Sequence, residues 1–301
     1  MKKFFETALK LAALKIIALL IIWAVLLRVL RLTSTTVFAK NPALAEIWWQ
    51  ALSFLSLLVV STLFTRGIER GKLRINLSAN LPRDLALGIL VGCLWIGGTV
   101  GLLAITDSIS FGERQLVSQI VLWIIAVLIN AIMQEYLIHG YMFALLGSKC
   151  GNLVAVSVTA VLFAALNVRA LENGTISILF TFAASTLLAL LRIHTRGLLA
   201  PIITHFIWNF VGGLVIGGVF LGENYPTVWP ETLSGVDIIS GGNLKFEGSG
   251  LALLVTIVLI DLMVILIGDD REKRKAELPI KTVPEVEELE AIAAAPPTSS
   301  S

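Results

Sequence analysis

Charge and sulfur are both scarce in this chain, and each scarcity removes a class of protein. Asp, Glu, Lys and Arg together supply 15% of the 301 residues, too few to hydrate the surface of an ordinary soluble domain. The two cysteines, Cys93 and Cys150, fall in an apolar run and in a predicted loop. Neither a disulfide framework nor a thiolate metal site is expected from them. The net charge is only +2, and no nucleic-acid partner is expected. Internal repeats are missing, and so are loops long enough to house a soluble domain. The longest connection is residues 222–249, rich in Gly and turn formers, and it reads as a connector.

Apolar sequence is what the chain has in quantity: 56% of residues are hydrophobic, with a mean hydropathy of +0.88. A membrane span needs roughly 20 mostly apolar residues to cross about 30 Å of hydrocarbon. Candidate spans are residues 11–31, 45–65, 84–106, 117–147, 152–170, 175–192, 197–221 and 250–268. The expected fold is all-α: a polytopic transmembrane helical bundle of about eight spans, one domain over residues 1–268. The charged and then Ala/Pro/Ser-rich tail, 269–301, is expected to be disordered. The first apolar run is too long for a secretory signal and lacks a cleavage site, so it reads as an uncleaved span.

With eight spans both termini share one side. That side carries fifteen of the 23 Lys and Arg, against six opposite, and the positive-inside tendency makes it cytoplasmic. An integral protein of the plasma (inner) membrane of a prokaryote is expected. Small residues four apart, Gly88/Gly92, Gly97/Gly101 and Gly213/Gly217, predict close helix packing within the chain.

Against this background the polar residues inside the spans stand out. A carboxylate at bilayer depth is costly unless paired, protonated or facing water, so it marks a site by default. Glu135 lies near the middle of its run, and His139, four residues on, shares its helix face. His205 and Asn209 repeat the spacing in the seventh run. A buried structural pair and interhelical hydrogen bonding are the alternatives. Two of the three histidines lying one turn from another polar residue favours a single shared site. Asn167 is a weaker third element. Asp261 and Lys15 lie at similar depth in the last and first runs, and a structural ion pair between them is expected.

Read in order, "QEYLIHG", "FAALN" (Phe163 to Asn167) and "HFIWN" resemble the three motifs of the CAAX protease and bacteriocin-processing family (CPBP, also called ABI) of intramembrane peptidases. Those motifs are Glu-Glu-x-x-x-Arg, Phe-x-x-x-His and His-x-x-x-Asn or Asp. The approach "TRGLLAPIITH" is also similar to the family's, and the resemblance covers about residues 117–210. It implies a membrane-embedded hydrolase acting on membrane-associated or prenylated peptides. In the family the first Glu and the second-motif His activate the attacking water, and the last motif's His and Asn hold the oxyanion.

Here Gln134 and Asn167 stand at the two water-activating positions, and neither amide accepts a proton near neutral pH. His205 and Asn209 occupy the oxyanion positions, and His139 replaces the motif's Arg. Three readings follow. In the first, a peptidase has a rewired base, Glu135, oriented by His139. In the second, Glu135, His139 and His205 form a zinc site, although no cofactor is required. In the third, a catalytically silent family member binds membrane or peptide partners and regulates them. A small-molecule transporter is a further alternative, but the repeats and broken helices it calls for are not visible.

Overall fold

Apolar runs punctuated by Asn-Pro and Gly set the order of elements in the computed structural model, which describes residues 2–34, 38, 40–71, 73–167, 174–222 and 225–277. Helices α1 (Lys2–Ser34), α2 (Pro42–Leu63) and α3 (Leu81–Ile105) come first. Asn41 and Asn80 cap α2 and α3, each side chain accepting a backbone N–H three residues on, with Pro in the first turn. This is the usual chemistry of a helix start. A short strand β1 (Ile109–Phe111) leads to α4 (Ile120–Glu135), which widens into a π-helical stretch (Tyr136–Met142) and continues as α5 (Phe143–Cys150). Then follow α6 (Asn152–Leu166), α7 (Thr175–Thr195) and α8 (Leu199–Ile207), the last passing into a further π-helical stretch (Trp208–Val215). Strand β2 (Glu231–Leu233), the short helix α9 (Asp237–Ser240) and a 3₁₀ segment (Gly242–Gly248) lead into α10 (Gly250–Glu277). β1 and β2 pair antiparallel, Ile109 opposite Leu233, which ties the loop before α4 to the long connection after α8.

Among the described residues six helical stretches are long and apolar enough to cross a membrane: Glu6–Arg31, Pro42–Ile68, Leu81–Ile105, Ile120–Cys150, Thr175–Thr195 and Gly242–Asp269. The protein is an all-α integral membrane bundle. The runs expected as fifth and seventh spans form shorter apolar helices, Asn152–Leu166 and Leu199–Val215. The fifth stops because Asn167 leaves helical geometry; residues 168–173 of that expected span lie outside the described residues. The last helix runs to Glu277, past the expected start of the tail at Asp269, and residues 278–301 also lie outside them.

Two apolar cores flank the site. One joins α3, α7, α8 and α10 around Trp95, Leu103, Phe180 and Trp208. The other joins α1, α2, α5 and the first π stretch around Leu19, Leu57, Tyr141 and Leu145. This partition overturns the expected Lys15–Asp261 pair. Lys15 Nζ bonds instead to Glu69, just past the short π-helical stretch Phe64–Ile68 that continues α2, whereas Asp261 is exposed on α10. Helix α1 belongs to the α2/α5 core and α10 to the α3/α7 core, so equal depth did not mean adjacency.

The glycine pairs divide. A Cβ on Gly88 would lie 2.8 Å from Ala200 O, and one on Gly92 would lie 2.9 Å from Ile207 Cβ, so both are needed for α8 to pack against α3. Gly97 and Gly101 meet nothing within 4 Å. Gly213 and Gly217 accommodate the returning loop, at Leu221 and Thr227, rather than another helix.

Candidate active site

Glu135 ends α4, and the π stretch that follows carries His139. His205 sits near the end of α8, and Asn209 is the second residue of the other π stretch. Both polar pairs therefore straddle a change from α to π geometry, a local widening that occurs often at functional sites. Helix α8, packed closely on α3 at Gly88 and Gly92, meets α4 at these points. His205 Nδ1 lies 2.7 Å from Glu135 Oε1. His139 Nδ1 lies 2.6 Å from Oε2 of the same carboxylate. The residues expected to share a site do so, though 70 positions separate Glu135 from His205. The Phe163 ring lies between the imidazoles, 6.4 Å from His139 and 6.2 Å from His205, centroid to centroid.

Proton accounting follows from the partners. His139 Nε2 lies 3.0 Å from the Ser185 carbonyl oxygen, with the Ser185 hydroxyl at 3.1 Å. A carbonyl only accepts, so His139 Nε2 carries a hydrogen. Each of the two imidazole–carboxylate hydrogen bonds holds one further proton. With these three protons the group is neutral overall, and Nε2 of His205 bears a lone pair. A fourth proton, on that Nε2, makes the group cationic and the ring a donor.

Glu135 and His139 are fully buried. A cavity of about 150 Å³ lies in front of them, large enough for water. Its polar lining includes His205, Asn209, Gln134, Asn167, Asn130, Thr181, Tyr225 and Glu247, and Trp95, Phe180 and Trp208 form an aromatic wall. Trp95 and Trp208 stack at 4.2 Å. The expected general base, Glu135, is absent from this lining: it stands behind His205 with both oxygens engaged. Among the described residues no group of three His, Cys, Asp or Glu has the arrangement of a metal site. In the expected zinc trio both imidazoles direct Nδ1 at the carboxylate in direct hydrogen bonds.

Gln134 is held by a ladder that was not anticipated. Its Nε2 donates to Asn130 Oδ1 (2.7 Å), Asn130 Nδ2 to Gln50 Oε1 (3.1 Å), and Gln50 Nε2 to Glu46 Oε1 (2.7 Å). Tyr225 OH also donates to Glu46, at 3.2 Å. Every rung points its N–H or O–H toward the one anion, Glu46. Burial, and then Glu46 itself, raise the Tyr225 pKa above the usual phenol range, so it remains a donor. The fourfold spacing of Glu46/Gln50 and Asn130/Gln134 was a readable signal for this ladder. The third histidine, His194, lies elsewhere and accepts from Arg83 Nη2 at 2.7 Å.

Residues 116–211 match the family of type II CAAX prenyl endopeptidases, Rce1-like. The resemblance read from three short motifs is borne out over the stretch that carries them. No curated protein and no solved structure matches. The Rce1-like segment contributes Glu135, His139, His205, Asn209, Gln134 and Asn167. The ladder's far end (Glu46, Gln50, Tyr225) and a further polar cavity residue, Glu247, come from outside it, as do the apolar Trp95, Phe220 and Leu221. Glu247 was missed because its run, "NLKFEGSG", looks like an ordinary polar connection.

Proposed function

We propose that this protein is an intramembrane endopeptidase that hydrolyses peptide bonds of membrane-associated or prenylated peptides. The observation that carries the reading is the Glu135–His205 hydrogen bond at the wall of a polar cavity inside an Rce1-like segment. In this reading His205 Nε2 and Asn209 face the scissile carbonyl and stabilise its developing negative charge. Glu135 acts through His205: it fixes the ring by Nδ1 and stabilises the imidazolium, as a buried carboxylate does behind a catalytic histidine. That replaces the role of water-facing base expected for Glu135. His139, anchored on Ser185, supplies the second donor that keeps the carboxylate in place.

A second cavity, about 480 Å³, suits the apolar part of such a substrate. It is lined by Trp23, Met133, Leu137, Ile138 and Leu166, and it shares Gln134, Phe163 and Asn167 with the first. A lipid-modified or membrane-embedded chain would lie there, with its peptide bond at the polar end. With the two shorter helices counted as crossings, the spans number eight and both termini face the cytoplasm.

Purified protein in detergent micelles is expected to cleave a panel of prenylated and transmembrane peptides, and His205→Ala to abolish turnover. Saturable peptide binding without cleavage by the wild type would decide instead for the catalytically silent binder. The retained His205 and Asn209 are also compatible with that second reading.

A further inference from the structure

Among the described residues, the Rce1-like segment brings no carboxylate to the cavity surface. Gln134 and Asn167 occupy the two positions where the resemblance places the water-activating groups, and Glu135 is screened by His205. Yet the cavity is not without an acid. Glu247 lines it together with Gln134, Asn167, His205 and Asn209, and also lines the adjoining apolar cavity. Among the described residues it is the one Asp or Glu in either lining.

The backbone around Glu247 is built to hold that position. Lys245, two residues before it, adopts a left-handed φ of 59°. This conformation is unfavourable for a residue with a long side chain and persists only where the surroundings enforce it. Lys245 Nζ bonds to the Gly217 carbonyl and lies 3.2 Å from Glu231 Oε1. Phe246 is fully buried, its N–H donates to Gly218 O at 2.8 Å, and its ring meets Trp208 edge to face at 6.4 Å. A Cβ on Gly218 would fall 2.2 Å from that ring, so only glycine lets Phe246 dock. On the other side Ser249 Oγ receives the first N–H groups of α10, from Leu251 and Ala252. Glu247 is thus fixed between a buried aromatic anchor and a helix cap, and Trp208 connects that anchor to the π stretch that carries Asn209.

We infer that Glu247 is the general base of this protein, a carboxylate supplied by the 222–249 connection in place of the two water-activating groups that the Rce1-like segment lacks. The inference rests on the peptidase reading. The Glu247 carboxylate takes a proton from a cavity water as the water oxygen bonds to the scissile carbonyl carbon. The carbonyl electron pair moves to the oxyanion, held by His205 Nε2–H and Asn209. The protonated Glu247 then gives its proton to the departing nitrogen as the C–N bond breaks, leaving an acid and an amine.

The experiment compares wild type, Glu247→Gln, Glu247→Asp and the double variant Glu247→Gln/Gln134→Glu on one cleavable peptide in micelles, with peptide binding measured separately. Glu247→Gln is expected to lower kcat by about 10²–10⁴-fold with peptide affinity unchanged. Glu247→Asp should retain part of the activity. Gln134→Glu in the Glu247→Gln background should recover at least tenfold, because a carboxylate from α4 then reaches the same cavity. A purely structural Glu247 would not be rescued from another helix. Wild-type cleavage with Glu247→Gln equally active overturns this inference and leaves the peptidase reading standing. A wild type that cleaves nothing overturns both. If Glu247→Gln unfolds, Glu247→Asp still decides: no residual activity in folded protein that binds the peptide counts against the base.

Discussion

Glu135 accepts from two imidazoles at once, so its value lies in position more than in proton transfer. Each partner contributes differently. His139 bonds to Ser185 through both the carbonyl and the hydroxyl, and removing the hydroxyl leaves the carbonyl contact in place. Ser185→Ala is therefore expected to cost under about 1 kcal/mol, the scale of one hydrogen bond between membrane helices. His139→Phe leaves a fully buried carboxylate oxygen without its donor, which costs about 1–3 kcal/mol or more for a charged group. Thermal unfolding in detergent should separate the two variants clearly, and equal melting temperatures would contradict the arrangement. The pairing at residue scale was legible because both dyads keep a four-residue spacing. The identity of the cavity-facing group was not, because spacing does not say which edge of a ring meets water.

Among the elements, the contact of α3 with α8 controls the site. Gly88 and Gly92 set the approach of α8, the helix that carries His205 to Glu135 on α4. Gly92→Leu must displace Ile207, and overpacking of this kind costs about 1–3 kcal/mol. It should also reduce turnover by moving His205. Gly97→Leu adds a side chain where nothing lies within 4 Å, and it is expected to melt and cleave like the wild type. The same sequence motif therefore predicts opposite outcomes five residues apart. A melting series on the two variants checks it, and a large loss from Gly97→Leu would point to a contact outside the chain. The two π stretches also belong to this scale. They reposition His139 and Asn209 relative to the helices before them, and nothing in the apolar pattern announces an extra residue in the turn.

For the molecule as a whole, the consequence is a division into an α1/α2/α5 core and an α3/α7/α8/α10 core, with the cavity lined from α3, α7 and α8 together with α4 and α6. Ion pairing respects that division. Glu69→Ala leaves Lys15 without its carboxylate, and the melting temperature should fall. Lys15→Met combined with Glu69→Leu should recover most of the loss, since replacing a mostly buried pair by apolar groups is often neutral. Asp261→Leu, on an exposed face, should leave stability and turnover unchanged. Destabilisation by Asp261→Leu as large as that of Glu69→Ala would contradict the partition.

Sequence alone determined the solvent, the helical class and the grouping of Glu135, His139, His205 and Asn209, because bilayer energetics penalise every unneeded polar residue and leave the functional ones visible. It did not determine the number of full-length spans, the partner of Lys15 or the place of Glu247, since these depend on which helices pack together. Depth along a span can be counted from residues, whereas adjacency around the bundle is decided by packing. That is why an acid in a connecting segment shares a cavity with groups more than a hundred positions before it.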